Sequence, residues 1–541
     1  MLKNPNIIFI VLDTHRRDRL GMYGYDRAIS PNLDEFAAEA TVYENAISPA
    51  QWTIPAHASF FSGEYASAHM TTQAGHALDP YFRTVAEWLR EADYQRVGFC
   101  NNPLVGILDN DLKRGFDKFY NYGGAIPTLP PRSTRRTVTL LGKIWSRYTQ
   151  LLRKISYPVQ NAFARSDRMF QLSLNPLFVP MWTRFANFKG DTARSVEDAT
   201  DYIVENMEPE QLNGRGQSGR PSQFVFINLM ETHLPFTPPE PFLSRFAPTY
   251  KGDRVARDFM RVYNTQALRW LLPMDEPLSE LEMQTLSELY DAEVAYQDHL
   301  LNELLETLSS PYHRENSLVV LVADHGEMLG EHDLMGHSFQ VYQELVQVPM
   351  IVRFPGQERG LRIRESVSSL QLFHTIMDYA GVDVGNYPHD APGMDEGEYL
   401  ANRIEQLSLR RNGALEPAPS PVFSEAFPPQ NVIKIMEEGS PDLLERFHSR
   451  SIFRAVYDQS AYKLVRADGL GDRLFNLKQD PNEKLPLADA ASSPRSHYLA
   501  ASLERFLETI EARRPDKWSR RGVSIADDKV AQRLRALGYL E

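Results

Sequence analysis

Two continuous apolar runs, each closed by an acid, constrain this chain more than any other feature: Asn6–Leu12 before Asp13, and Ser317–Val322 before Ala323, Asp324, His325, Gly326 and Glu327. Neither run alternates with polar residues, so neither suits a strand with one wet face. Both read as central strands of a parallel sheet, buried on both sides. A third run, Gln223–Leu229, precedes Met230, Glu231, Thr232 and His233 in the same manner. Parallel strands need helical crossovers, and ligands of open α/β sheets collect beyond the carboxyl ends of the strands. Asp13, Asp324 and His325 are therefore expected at one rim. An Asp after a strand also serves simply as the cap of the next helix.

The run Gln51-Trp52-Thr53-Ile54-Pro55-Ala56-His57 sets a hydroxyl just before a Pro that can open a helix. The free N–H groups of a first helical turn attract an anion, so Thr53 stands at a nucleophile position. The plainer reading is that Thr53 only caps the helix.

With these segments in view, the chain resembles the sulfatases and their relatives in the alkaline phosphatase superfamily. The likeness is carried by residues 7–24 (IIFIVLDTHRRDRLGMYG), 30–45 (SPNLDEFAAEATVYEN), 52–63, 322–330 (VADHGEMLG), 336–349 and 474–483 (LFNLKQDPNE), in the family's order. It implies an α/β fold with a doubly wound, mostly parallel sheet and a small C-terminal α+β subdomain. It also implies a divalent cation and an ester of sulfate or phosphate. By this resemblance Asp13, Thr53, Asp324 and His325 hold the metal. Oxygen-rich ligands with one imidazole suit Mn, Ca, Mg or Zn alike. Thr14 stands where many sulfatases have a second Asp.

The chain departs from the family at the nucleophile. Sulfatases oxidise a Cys, sometimes a Ser, of Cys-x-Pro-x-Arg to formylglycine; here the motif is Thr-x-Pro-Ala-His, and Thr cannot form that aldehyde. The single Cys, Cys100, lies far along the chain. Relatives with Thr here resemble the nucleotide pyrophosphatase, phosphodiesterase and phosphoglycerol-transferase branches, where a metal activates the hydroxyl. The expectation is a metal-dependent hydrolase or transferase with phosphodiesters favoured. A sulfatase working without formylglycine is the alternative, and a non-catalytic binding module is the reading of a different class. His57, His233 and His337 are expected to contact the transferred group or protonate the leaving oxygen. The two-metal motif normally has an Asp four residues before the first of the later histidines, where this chain has Leu229, so one metal is favoured and a second is left open.

At 541 residues the chain holds a large domain, expected over 1–415, and a C-terminal subdomain over 416–541. A net charge of −13 argues against general nucleic-acid binding. No apolar run approaches the roughly 20 residues of a membrane span, and the N-terminal residues lack a signal-peptide pattern, so a cytoplasmic protein is expected. Within this acidic chain, residues 126–190 carry eleven Lys and Arg against Asp167 alone, with helically spaced apolar groups from Leu141 to Ile155. Such an insert packs its apolar stripe on the core, or meets a lipid-like anionic substrate or a membrane surface peripherally. A long helix is expected over 280–309, a break at 416–421, a hairpin from 462–465 to 474–477, and a terminal helix over 494–514. Composition says nothing of the oligomeric state.

Overall fold

The computed structural model describes residues 4–123, 129–130, 189–208, 221–266, 270–384, 396–410, 421–488 and 492–514. Its strands run in chain order as β1 (Asn6–Leu12), β2 (Thr41–Ile47), β3 (Gln95–Cys100), β4 (Lys118–Asn121), β5 (Gln223–Leu229), β6 (Ser317–Val322), β7 (Met328–Leu329), β8 (Met335–Gly336), β9 (Gln347–Val348), β10 (Met350–Arg353), β11 (Leu361–Ser368), β12 (Val422–Ala426), β13 (Phe453–Tyr457), β14 (Tyr462–Ala467) and β15 (Arg473–Asn476). Among the described residues the main sheet has nine strands in the order β11-β2-β10-β6-β1-β5-β3-β4, with β9 on β2.

The three apolar runs are neighbours at its centre. β1 pairs in parallel with β5 and with β6, matching Ile10 to Ile227 on one side and to Leu321 on the other. Because side chains alternate along a strand, Ile7, Phe9 and Val11 enter one hydrophobic layer while Ile8, Ile10 and Leu12 enter the opposite one. Each fully buried side chain of this kind contributes about 1.5–3 kcal/mol. The sheet is mixed at β10, which runs antiparallel to β6 and β2.

Helices cover both faces. The helices Thr53–Ser62, Val85–Glu91, Gln371–Ala380 and Pro494–Glu511 supply one layer; Pro31–Ala37, Thr192–Met207 and the long helix Glu280–Leu308 supply the other. The long helix begins with a capping box, in which Ser279 and Glu282 satisfy each other's backbone N–H groups. Asp298 on this helix is structural: its carboxylate accepts from the N–H groups of Asn32 and Leu33 at 3.1 and 2.8 Å and caps Pro31–Ala37. The C-terminal sheet β12-β13-β14-β15 is antiparallel, and β14–β15 is the expected hairpin. The terminal helix ends at Glu511, three residues short of the expected span.

Of the basic stretch 126–190, residues 129–130 and 189–190 are described; the helical spacing read from Leu141 to Ile155 lies outside them, as does most of the break at 416–421. Lys189 is not a solvated charge: it is buried, and its Nζ donates to the Glu231 carbonyl at 2.6 Å and to Glu293 Oε1 at 2.8 Å. No helix among the described residues is long and apolar enough to cross a membrane.

Candidate active site

The carboxyl ends of β1 and β6 bring Asp13 and Asp324 together, and the turn after β6 adds His325. One ligand atom from each lies within 4.8 Å of the others, and all three residues are fully buried. Gly326 allows the turn to sit tightly, since a Cβ there would fall 1.9 Å from the Glu344 carbonyl oxygen. Asp324 Oδ1 accepts from its neighbour's N–H (His325) at 2.9 Å and from the Thr14 N–H at 3.3 Å. Asp13 Oδ2 accepts from Asn102 Nδ2 at 2.6 Å. The remaining oxygens, Asp13 Oδ1 and Asp324 Oδ2, are buried without a hydrogen-bond partner.

Two adjacent buried carboxylates cannot both carry charge cheaply. Burial holds Asp13 up at about 6. Burial and the nearby Asp13 carboxylate push Asp324 well above the usual range. His325 Nδ1 lies 2.9 Å from the Gly326 carbonyl oxygen, which fixes the proton on Nδ1 and turns the Nε2 lone pair toward Asp13, Asp324 and Thr53. Two orphaned carboxylate oxygens and an oriented imidazole nitrogen fit a single divalent cation, whose charge of two the two acids balance.

Thr53 is the first residue of the helix Thr53–Ser62, with Trp52 at its N-cap, so the helix opens two residues before Pro55. Pro55 still lies in the first turn, where its missing N–H removes no helical bond. Thr53 Oγ1 stands 3.3 Å from His325 Nε2 and 3.5 Å from Asn102 Nδ2. Thr14 occupies a left-handed backbone conformation (φ 58°) rare for a β-branched residue. That turn aims its N–H at Asp324, while its hydroxyl donates to the Asp13 carbonyl at 2.7 Å.

His57 lies one turn along the same helix, with its ring buried. Asn228 accepts from the Asn102 N–H through Oδ1, so its Nδ2 faces His57 Nε2 at 3.4 Å as donor. His57 therefore carries its proton on Nδ1, 2.9 Å from the Thr53 carbonyl oxygen and 3.5 Å from Asp324 Oδ2. Its ring packs against Phe60, Phe61 and Phe226, and burial pulls its pKa down to about 4.

His337 and His233 complete the cluster. The His337 ring lies 4.5 Å from that of His325 and 5.2 Å from that of His233. In the β7–β8 hairpin Met328 pairs with Gly336, which sets Glu327 beside His337, and Glu327 Oε2 lies 3.0 Å from His337 Nδ1. Burial works against charge on His337, but Glu327 outweighs it and holds His337 above the ordinary histidine range. Burial, aided by charge on His337, pulls His233 down to about 3. The two rings are thus set apart in protonation. Glu327 and Asn102 were missed from the sequence. The ten-residue spacing of Glu327 and His337 across two short runs was the available signal for the first. For Asn102 it was an Asn-Pro cap after β3, whose Oδ1 accepts from the Leu104 N–H at 2.8 Å. A wider groove of about 580 Å3, lined by Tyr25, Arg27, Asp34 and Arg362 among others, contains none of these residues.

Comparison with known proteins agrees with this architecture. The Sulfatase family profile matches residues 5–382. The chain is 24% identical over 387 residues to the uncharacterized sulfatase YidJ of Escherichia coli (strain K12), covering 71% of this chain and 69% of that protein. It is 22% identical over 525 residues to the multifunctional alkaline phosphatase superfamily protein PehA of Trinickia caryophylli, covering 90% and 92%. Among solved structures, the phosphonate monoester hydrolase of Agrobacterium radiobacter superposes with a TM-score of 0.57 at 18% identity, covering 94% of this chain and 96% of that one. The chain belongs to the Sulfatase family, hydrolases of sulfate or phosphate esters within the alkaline phosphatase superfamily.

Proposed function

We propose that this chain cleaves a phosphate diester with Thr53 Oγ1 as nucleophile and one divalent ion held by Asp13, Thr53, Asp324 and His325. The observation that carries this reading is the Thr53 hydroxyl at a helix N-terminus, 3.3 Å from His325 Nε2, beside two carboxylate oxygens without partners. When bound, the ion supplies the positive charge that makes a neutral-pH Thr hydroxyl nucleophilic.

The residues of the chain divide the remaining work. The Thr53 hydroxyl gives up its proton to solvent, Oγ1 forms the bond to phosphorus, and the bond from phosphorus to the leaving oxygen breaks. His337, kept protonated by Glu327, gives its Nε2 proton to that oxygen. Neutral His233 and Asn102 line the same centre and orient the phosphoryl oxygens. His57 holds the Thr53 carbonyl in register through its Nδ1 proton. Water, or an acceptor alcohol, then attacks the Thr53 phosphoester and releases Thr53; water gives hydrolysis and the alcohol gives transfer.

The missing Cys favours phosphorus over sulfur, because Thr53 offers an alkoxide and not a formylglycine hydrate. The sulfatase reading rests on relatives named sulfatases, including YidJ. Turnover of p-nitrophenyl sulfate, p-nitrophenyl phosphate and bis-p-nitrophenyl phosphate by metal-reconstituted protein, with a chelator control, separates the two. Chelator-sensitive preference for the diester supports the proposal, and preference for the sulfate overturns it.

A further inference from the structure

Lys189, at the end of the basic stretch, is buried beside the turn that carries His233, and no reaction step above uses it. Its backbone is pinned. Asn101, just after β3 and next to Asn102, donates through Nδ2 to the Lys189 carbonyl at 2.9 Å and to Thr192 Oγ1 at 2.8 Å. Gly190 follows in the left-handed conformation (φ 74°), and a Cβ there would fall 2.8 Å from the Tyr122 carbonyl, so the chain passes closer to the end of β4 than a side chain allows.

With Glu293 of the long helix, the Lys189 side chain joins the two ends of that turn. Nζ donates to the Glu231 carbonyl at 2.6 Å and to Glu293 Oε1 at 2.8 Å, and the same Oε1 accepts from the Thr237 N–H at 2.6 Å. Residues 231 and 237 bracket His233, whose Nδ1 lies 2.8 Å from the Leu234 carbonyl oxygen inside the bracket. The conformation of the turn therefore sets the direction of the ring, which stands 5.2 Å from that of His337. Phe236 of the same turn lies 6.0 Å from the Lys189 ammonium. Buried ion pairs are a weak source of stability, because desolvation of both charges offsets most of their attraction. What this pair fixes is the distance between the ends of the turn.

We infer that Lys189 and Glu293 are positioning residues for the reaction: together they hold the turn 231–237 so that the His233 ring faces the transferred group. The end of the basic stretch thereby becomes part of the support of the site. This rests on the proposed placing of His233 at the phosphoryl oxygens. Neither side chain touches the ester, and both act through His233.

The test is kinetic, with full-length, metal-reconstituted protein and bis-p-nitrophenyl phosphate. Lys189→Met keeps the apolar stem and removes the donor; kcat/KM should fall by about 10- to 100-fold, as for a group displaced by about 1 Å. Adding Glu293→Gln removes the charge left unpaired, so the thermal transition should return toward wild type while kcat/KM stays low. In a His233→Ala background Lys189→Met should cost less than about twofold more, because a residue acting through His233 then has nothing to position. Recovery of kcat/KM together with stability in the paired variant, or the same fold loss with and without His233, overturns the inference. A second readout needs no turnover. In Mg2+-loaded protein labelled with 13C at histidine Cε1, the His233 resonance, assigned by its loss in His233→Ala, should broaden or split in Lys189→Met while that of His69 keeps its width. A single sharp His233 line means the ring is still held and overturns the inference. If wild-type protein cleaves none of the three esters but that line broadens, the nucleophile reading fails and the positioning of His233 stands.

Discussion

Asp13 and Asp324 at the rim of the parallel sheet, and Glu425 at the junction with the antiparallel sheet, are all buried, yet their oxygens meet different surroundings. Glu425 is saturated: Ser67 N–H donates to Oε2 at 2.9 Å, and the Ser67 hydroxyl and Arg454 Nε donate to Oε1. Asp13 and Asp324 each keep one oxygen without a partner. The same contrast separates two buried histidines. His69 uses both nitrogens, Nε2 with the Ser59 hydroxyl at 3.1 Å and Nδ1 with the Thr71 N–H at 3.0 Å. His325 spends Nδ1 on a carbonyl and presents Nε2 to the acids and Thr53. Glu425 and His69 are fully partnered and hold the fold, whereas the open oxygens of Asp13 and Asp324 converge with His325 Nε2 on one point, as a cation site requires.

If that distinction is sound, changes at the rim should affect chemistry and spare the fold. Thr53→Ala should lower kcat/KM on the preferred diester by about 10^3-fold or more, with a thermal transition close to wild type. Near-wild-type rates would remove Thr53 from the nucleophile role. Asp324→Asn should weaken Mn2+ binding by about 100-fold in calorimetry while leaving the metal-free protein at least as stable, since it removes a carboxyl whose charged form burial and Asp13 disfavour. Unchanged affinity would erase the difference between open and closed carboxylates.

Changes at the junction should do the opposite. Glu425→Gln leaves buried Arg454 with only Asp468 and should cost about 3 kcal/mol in denaturant unfolding, while kcat falls less than a few-fold. A large loss of kcat at unchanged stability would break the comparison from the other side. The smallest effect concerns His69, whose pKa burial lowers to about 3. Its folded value lies below its unfolded value, so its stabilising contribution is present above the unfolded pKa and is lost as pH falls. Between pH 7 and pH 5 the unfolded chain takes up a proton that the fold refuses, an expected loss of about 2 kcal/mol. His69→Gln should flatten the pH dependence of the thermal transition over that window by this amount; an unchanged slope would show that other groups set it.

Much of the site was legible because strand and chemistry coincide in sequence. Residues 6–12, 223–229 and 317–322 are apolar enough to demand burial on both faces, and each strand delivers its next few residues to the same rim. Asp13, Thr53, Asp324 and His325 are read from that logic together with the family motifs, and the structure brings all four together, with His233 and His337 beside them. Less was legible where the partner is remote. His57 stands in the motif at the position of a substrate contact, but packing against Phe226 and a bond network through Asn228 keep its ring buried. Asn102 carries no motif at all and reaches Asp13 only because β3 and β1 both flank β5.

The sequence by itself determined the three central strands and which acidic and imidazole side chains follow them, since apolar continuity and strand ends are local properties; the doubly wound sheet and the proposed ligand set are read from the family likeness. Tertiary structure alone decided which oxygens remain without partners, that Glu327 holds the charge on His337, and that Pro429 and Val432 of the C-terminal region close over Trp52. Those are matters of hydrogen-bond completion and packing between segments hundreds of residues apart, and they exist only once the chain has folded.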